Sequence, residues 1–158
     1  MGRGLTMPHG LDTDKAVFFY EQEFYVFSNF SAFQILWAGI SFPTSEHAYQ
    51  WMKFNKISYT DVKEKIRYAT SAHEAFKIAQ ENDSFAVPHW KEIRVGVMET
   101  ILRTKLSQHP YVQKKLRETG DREIIENSWR DSFWGWGPNK DGENMLGKLW
   151  MKIRADSK

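Results

Sequence analysis

Four side chains in the stretch Phe42–Phe54 have the types and spacing of a reactive surface: Glu46, Tyr49, Gln50 and Lys53. At ~100° per residue they share one helical face, while Ala48, Trp51, Met52 and Phe54 spread over the rest. A carboxylate, a phenol, an amide and an ammonium therefore form a stripe on a helix that reads as buried on most sides. Such a stripe is costly unless its members pair or bind something. Glu46 falls in the first turn, where the helix dipole favours the ionised carboxylate, which suits a base or an electrostatic partner for a cation. Lys53 stands ~10 Å further along the axis and can reach the same ligand from the other end. The plainer reading makes Glu46 a residue that merely complements the dipole and Lys53 a snorkelling surface lysine.

A second cluster is Asn127–Gly137, Asn-Ser-Trp-Arg-Asp-Ser-Phe-Trp-Gly-Trp-Gly. Three Trp and one Phe in a glycine-containing loop exceed what packing alone requires, and aromatics above a cleft stack planar bases at ~1–3 kcal/mol each. Asp131 among them is a carboxylate in a partly apolar setting; its alternative is an Asx-turn that holds the loop's own backbone. The third feature, Phe27-Ser28-Asn29-Phe30, puts a polar pair between aromatics and also reads as an ordinary turn. Trp90, taken alone, reads as core. Histidines 9, 47, 73, 89 and 109 lack metal-ligand spacing, so no metal site is expected. The chain has no Cys, which removes thiol nucleophiles, disulfides and thiolate sites together. No phosphate loop, dinucleotide fingerprint or serine elbow is present.

Pro43 and Thr44 punctuate the start of the Phe42–Phe54 helix, with Thr44 or Ser45 as its N-cap. Upstream, Ala16–Phe27 is rich in Val, Phe and Tyr and predicts one or two short strands, and Phe33–Phe42 predicts a hairpin about Ala38-Gly39. Downstream, Asp61–Ala69 is a short helical stretch led by Thr60, and the capping box Ser71-Ala72-His73-Glu74 opens a helix to about Asn82. The longest helix, His89–Gln108 with Pro88 in its first turn, repeats Trp90, Ile93, Val97, Ile101 and Leu102 at helical spacing. Tyr111–Thr119 is a further helix closed by Gly120, Arg122–Glu126 a strand, Asn127–Asn144 a long loop, and Met145–Ile153 an amphipathic helix.

The chain of 158 residues is long enough to bury a real core and is expected to form one domain over 16–158 behind a tail, Met1–Lys15. With a net charge of +2, no strong basic field draws it to nucleic acid, although a local patch stays open. No run of 18 apolar residues exists and Met1–Gly10 lacks an apolar core, so a cytoplasmic protein is expected. The fold class that follows is a single compact, mainly α domain with a small N-terminal antiparallel β element.

Taken together, Phe27-Ser-Asn-Phe30, Pro43-Thr-Ser-Glu-His-Ala-Tyr-Gln50 with Lys53-Phe54, and Trp90 with Val97-Met98 form one ordered pattern. It continues through Thr119-Gly120, Glu126, Asp131-x-x-Trp134-Gly135-x-Gly137 and Gly142-x-Asn144-Met145-Leu146-Gly147. Over roughly Phe18–Arg154 this resembles the YbiA-like, or NADAR, family, while Lys56–Phe85 departs from its pattern. The resemblance implies a metal- and cofactor-independent N-glycosidase that cleaves the bond between ribose C1 and an exocyclic-type nitrogen. Two substrate classes go with the family: ribosylamino-pyrimidine phosphates, intermediates of riboflavin biosynthesis, and ADP-ribose on the amino group of guanine in nucleotides or DNA. It implies Glu46, Lys53 and Asp131 as catalytic residues. It further implies Asn29, Phe30, Tyr49, Gln50, Trp90, Trp134, Gly135 and Asn144 as substrate-binding residues. The alternative is a non-catalytic module that binds ADP-ribose or another nucleotide through the aromatic loop. Blander still is an interaction domain whose aromatics are core.

Overall fold

The computed structural model describes residues 12–20, 24–54 and 60–158, so most of the expected tail lies outside the described residues. The chain is mainly helical and falls into two compact units: Asn29–His109, and the described part of Met1–Ser28 with Pro110–Lys158.

The Asn29–His109 unit begins with a hairpin, β2 (Ile35–Trp37) and β3 (Ile40–Phe42), paired antiparallel with Ile35 opposite Phe42 and Trp37 opposite Ile40. Its two-residue loop has positive φ at both Ala38 and Gly39, the requirement of a turn whose twist matches the strands. Helix α1 (Ser45–Lys53) follows, and α2 (Thr60–Arg67), α3 (Ala72–Glu81), α4 (Trp90–Gln108) and β3 all pack against it. That is why seven consecutive residues, Ser45 to Trp51, are buried. Thr44 caps α1 by accepting from the backbone N–H of His47 at 3.2 Å. His47 Nε2 lies 3.0 Å from the Ala69 carbonyl, which can only accept, so Nε2 carries the proton and Nδ1 accepts from the Thr44 hydroxyl at 2.7 Å. Burial pushes this imidazole below its ordinary pKa, in keeping with the neutral ring. Ser71 caps α3 as its sequence predicts, although Glu74 reaches back to the Thr70 N–H rather than to the cap itself.

Two expectations for α4 need correction. The helix begins at Trp90 behind a left-handed His89, so Pro88 precedes the first turn. Its buried face runs through Met98, Ile101, Leu102 and Lys105, while Ile93 is 45% exposed. The stripe therefore sits one step round from the one read off the apolar residues alone, because a lysine occupies part of it.

In the other unit, β1 (Ala16–Phe19) pairs parallel with β4 (Glu123–Glu126), Val17 opposite Ile124 and Phe18 opposite Ile125. The expected strand over Ala16–Phe27 is thus short, with Tyr25–Phe27 forming a 3-10 turn, and its partner comes from the far end of the chain. Residues 12–15 lead into it: Asp12 Oδ1 accepts from the Phe18 N–H and Thr13 Oγ1 from those of Lys15 and Ala16. Helix α5 (Pro110–Glu118) starts on Pro110, where the missing N–H costs nothing, and is followed by Gly120 at φ +60°. Helix α6 (Met145–Asp156) packs on β4 so closely that a Cβ on Gly147 would lie 2.0 Å from the Ile124 carbonyl oxygen. Trp150 Nε1 donates to the Phe27 carbonyl at 3.0 Å inside a cluster with Phe19, Phe24 and Phe27. Among the described residues no helix is long and apolar enough to cross a membrane.

Candidate active site

The polar stripe of α1 forms as its spacing predicts; Glu46, Tyr49 and Gln50 in it are buried and Lys53 is partly exposed. Glu46 is only 6% exposed, and its Oε2 accepts a 2.7 Å hydrogen bond from Gln50 Nε2, one turn on. A donated hydrogen bond and a first-turn position both favour the carboxylate form. The Glu46 backbone N–H, one of the donors a helix start leaves without an internal partner, donates to the Asn29 carbonyl at 3.1 Å. Asn29 Oδ1 accepts from the Ser45 hydroxyl at 2.9 Å, and its Nδ2 donates to Met98 Sδ at 3.3 Å. So Asn29, singled out between two aromatics, is less a turn residue than the anchor of the first turn of α1. Gln50 Oε1 is buried with no hydrogen-bond partner among the described residues, and so is Trp51 Nε1. An unsatisfied buried acceptor costs ~1–3 kcal/mol, and its retention asks for a reason.

Tyr49 and Trp90 meet as tilted rings 5.2 Å apart, both buried, while Phe30 is 46% exposed. Lys53 departs from the simplest expectation. Its Nζ pairs with Asp83 Oδ1 at 2.6 Å, in the 3-10 turn Asp83–Phe85 that follows α3. The ammonium holds the Asp83 carboxyl below its ordinary range, first by the hydrogen bond and then by its charge. Lys53 is thus neither a snorkelling surface residue nor committed to Glu46 by any described bond.

The remaining predicted site residues belong to the other unit, where they tie a loop together. Asp131 Oδ1 accepts from the backbone N–H groups of Phe133 and Trp134, each at 2.8 Å, which is the turn-holding geometry of its alternative reading. The carbonyls of Phe133, Trp134 and Gly135 accept from the N–H groups of Met145, Leu146 and Asn144, so the loop itself caps α6. Asn144 can take a left-handed φ of 51° there because its side chain is engaged elsewhere: Nδ2 donates to the Ile124 carbonyl and Oδ1 accepts from the Glu126 N–H, both at 2.9 Å. Its amide continues the β4 ladder. A Cβ on Gly135 would sit 2.8 Å from the Ser128 Cβ, so that glycine allows the loop to close on itself. Trp134 packs edge-on against Phe133 with centroids 4.9 Å apart and stays partly exposed. Among the described residues no three His, Cys, Asp or Glu side chains gather as a metal site.

Reading the residues missed Ser45, Asp83 and Lys105. Ser45 was available only as a capping candidate and Asp83 carried no signal at all. Lys105 is fully buried on α4, its Nζ donating to Ser31 Oγ at 2.9 Å and lying 5.3 Å from the Phe33 ring. Burial lowers this amine's pKa to about 7. Its spacing after Met98, Ile101 and Leu102 was the signal that could have found it.

The elements and the site described so far define a small, mainly helical protein with a buried carboxylate at the start of a helix. Comparison narrows this. The NADAR domain family matches residues 18–157, and the chain belongs to it. N-glycosidase YbiA of Escherichia coli strain K12 is 34% identical over 128 residues, covering 81% of this chain and 78% of that protein. N-glycosidase Npun_R5314 of Nostoc punctiforme is 32% identical over 142 residues, covering 89% and 91%. Riboflavin biosynthesis protein VVA0006 of Vibrio vulnificus is 34% identical over 145 residues, 90% of this chain, but the chain spans only 39% of that longer protein. The NMR structure of E. coli YbiA superposes with a TM-score of 0.81 at 31% identity, over 93% of this chain and 87% of that one. The mainly α architecture expected from the sequence is thereby borne out.

Proposed function

We propose that this chain is an N-glycosidase that hydrolyses the bond between ribose C1 and the amino nitrogen of a ribosylated base, with Glu46 as its catalytic carboxylate. The observation that carries the reading is the buried Glu46 side chain, held at the start of α1 through Asn29 and Gln50. The names borne by the YbiA and Nostoc relatives support the reaction class.

The chemistry asks for few parts. Breaking C1–N develops positive charge on the sugar, and a fixed carboxylate stabilises that charge without reorganising during the reaction. The same carboxylate can take a proton from the attacking water, whose oxygen bonds to C1 as the C1–N electron pair leaves with nitrogen. The leaving nitrogen then needs a proton to depart as an amine. We assign that proton to Lys53. In the alternative, its neutral amine adds to C1 of the ring-opened sugar, and the C1–N bond to the base breaks as the base leaves as an amine with a proton from the adduct. Water then hydrolyses the lysine imine to free sugar and amine. Either role requires Lys53 to exchange its partner Asp83 for substrate. Asp131 is assigned a catalytic role through its charge, in addition to the turn its Oδ1 holds. Phe30, Trp90 and Trp134 are assigned to base stacking, Tyr49 and Gln50 to polar contacts, and Asn29, Gly135 and Asn144 to positioning.

The substrate is one of two: a ribosylamino-pyrimidine phosphate of riboflavin biosynthesis, in line with the Vibrio relative's name, or ADP-ribosyl-guanine in nucleotides or nucleic acid. Offering both to the purified protein and identifying the released base by mass decides between them. Turnover of neither overturns the reading. The second reading, a nucleotide-binding module without turnover, is favoured by the engagement of Lys53 with Asp83 and of Asp131 with its own loop. Such a module would bind ADP-ribose saturably and release no base over long incubation.

A further inference from the structure

We infer that Lys105 is a positioning residue for Glu46, acting through Ser31 and Asn29 rather than by touching substrate. The inference rests on the catalytic role proposed for Glu46.

Met98 and Lys105 are seven residues apart on α4, so they lie on one face ~10 Å apart along the axis. Asn29 and Ser31 are two apart in the segment between the 3-10 turn and β2. The helix grips that segment at both points: Asn29 Nδ2 donates to Met98 Sδ at 3.3 Å, and Lys105 Nζ to Ser31 Oγ at 2.9 Å. The grip through Asn29 is weak, because a thioether is a poor acceptor. The grip through Lys105 is the stronger, a buried amine on a buried hydroxyl. Phe33 continues the same segment, its N–H donating to the Ser31 carbonyl at 2.8 Å and its ring lying 5.3 Å from Nζ. Asn29 in turn holds α1 at two places, its carbonyl on the Glu46 N–H and its side-chain oxygen on the Ser45 hydroxyl. A continuous path of described bonds therefore runs from α4 to the residue proposed to carry the chemistry.

An alternative for this lysine is simple core filling, but the residue type argues otherwise. An amine moved out of water at a fully buried position is a liability that Met or Leu of similar volume would avoid. What the amine adds over those side chains is a donor that reaches the Ser31 hydroxyl. The inference assigns that donor its use: it fixes the register of the 29–33 segment on α4, and so where α1 begins and where Glu46 points.

The test is steady-state kinetics of the full chain on whichever ribosylated base it hydrolyses, with thermal melts of every variant. Lys105→Met should remain folded and lower kcat by ~10- to ~100-fold, the cost of misplacing a reacting group by about 1 Å, with KM nearly unchanged. In a Glu46→Gln background the same substitution should cause no further loss, because its effect passes through Glu46. Ser31→Ala removes the bond from its other end and should reproduce the kcat loss, which keeps the inference testable if Lys105→Met fails to fold. Unchanged kcat in either folded single variant overturns the inference. So does a loss that persists undiminished in the Glu46→Gln background. Full activity of Glu46→Gln alone would instead overturn the reading of Glu46, leaving the two failures distinct.

Discussion

Lys105 also sets how the stability of the fold should respond to pH. Its folded pKa is about 7 against an ordinary 10.5, and burial is the cause. Between those values the unfolded chain binds a proton that the folded chain does not, so stability rises with pH across that window. Below about 7 both states are protonated and the cost of the buried charge is fully present; above 10.5 it is absent. At 1.36 kcal/mol for each tenfold change, the span corresponds to ~5 kcal/mol, a ceiling that relaxation around the amine will reduce. The measurement is urea unfolding of the wild type and Lys105→Met at pH 7, 8.5 and 10. Other lysines and tyrosines titrate identically in the two proteins, so the difference between them isolates this amine. The wild type should gain on the variant by ~1 kcal/mol or more for each pH unit. Parallel pH dependences would refute the burial argument, since they would mean that Lys105 has an ordinary pKa.

Glu46→Gln keeps the size of the side chain and removes its charge, and Asp131→Asn keeps the oxygen that accepts from Phe133 and Trp134. Each should lower turnover by orders of magnitude in a folded protein, and near-full base release by both would sink the enzyme assignment. Asp83→Asn removes the charge that holds Lys53. Turnover should be retained or increased, and a loss comparable with that of Lys53→Met would show that the ion pair itself is needed. Gly147→Ala places a Cβ against the Ile124 carbonyl oxygen and should destabilise by ~3 kcal/mol or more, read as a fall in the urea midpoint. Gln50→Met removes both the donor to Glu46 and the orphaned Oε1. A hydrogen bond to a charge and an unsatisfied acceptor are each worth ~1–3 kcal/mol, so stability should change little while turnover falls; intact turnover would release Gln50 from any role.

The local rules were legible where the chain obeys them. Thr44 and Ser71 cap their helices, Ala38-Gly39 turns the hairpin, and the polar stripe of α1 appears at its predicted spacing. The pairing of β1 with β4 was not legible, because a parallel pair needs a long crossover and nothing local in Ala16–Phe19 names its partner. Lys105 escaped because a lysine on a helix ordinarily marks the solvated face, and counting it as polar rotated the expected core stripe toward Ile93. For Asp131 the two readings offered by the sequence are compatible: one oxygen holds the turn whether or not the charge acts in catalysis.

The distribution of broken rules separates the two halves of the proposed machinery. In the Asn127–Asn144 loop, glycine sits where a Cβ would clash, Asp131 satisfies two backbone donors, Asn144 extends β4, and three loop carbonyls cap α6. Apart from Lys140 at φ 60°, local sequence and structure agree there, as they do in a scaffold. On α1 and the helix that grips its start, they disagree. A carboxylate is buried, an amide oxygen and an indole N–H lie buried without partners among the described residues, and an amine is fully enclosed. Sequences tolerate such costs where function requires them. Glu46 and its supports therefore carry the costly part of the proposed machinery, while the loop offers the Asp131 charge from a turn that its own bonds hold.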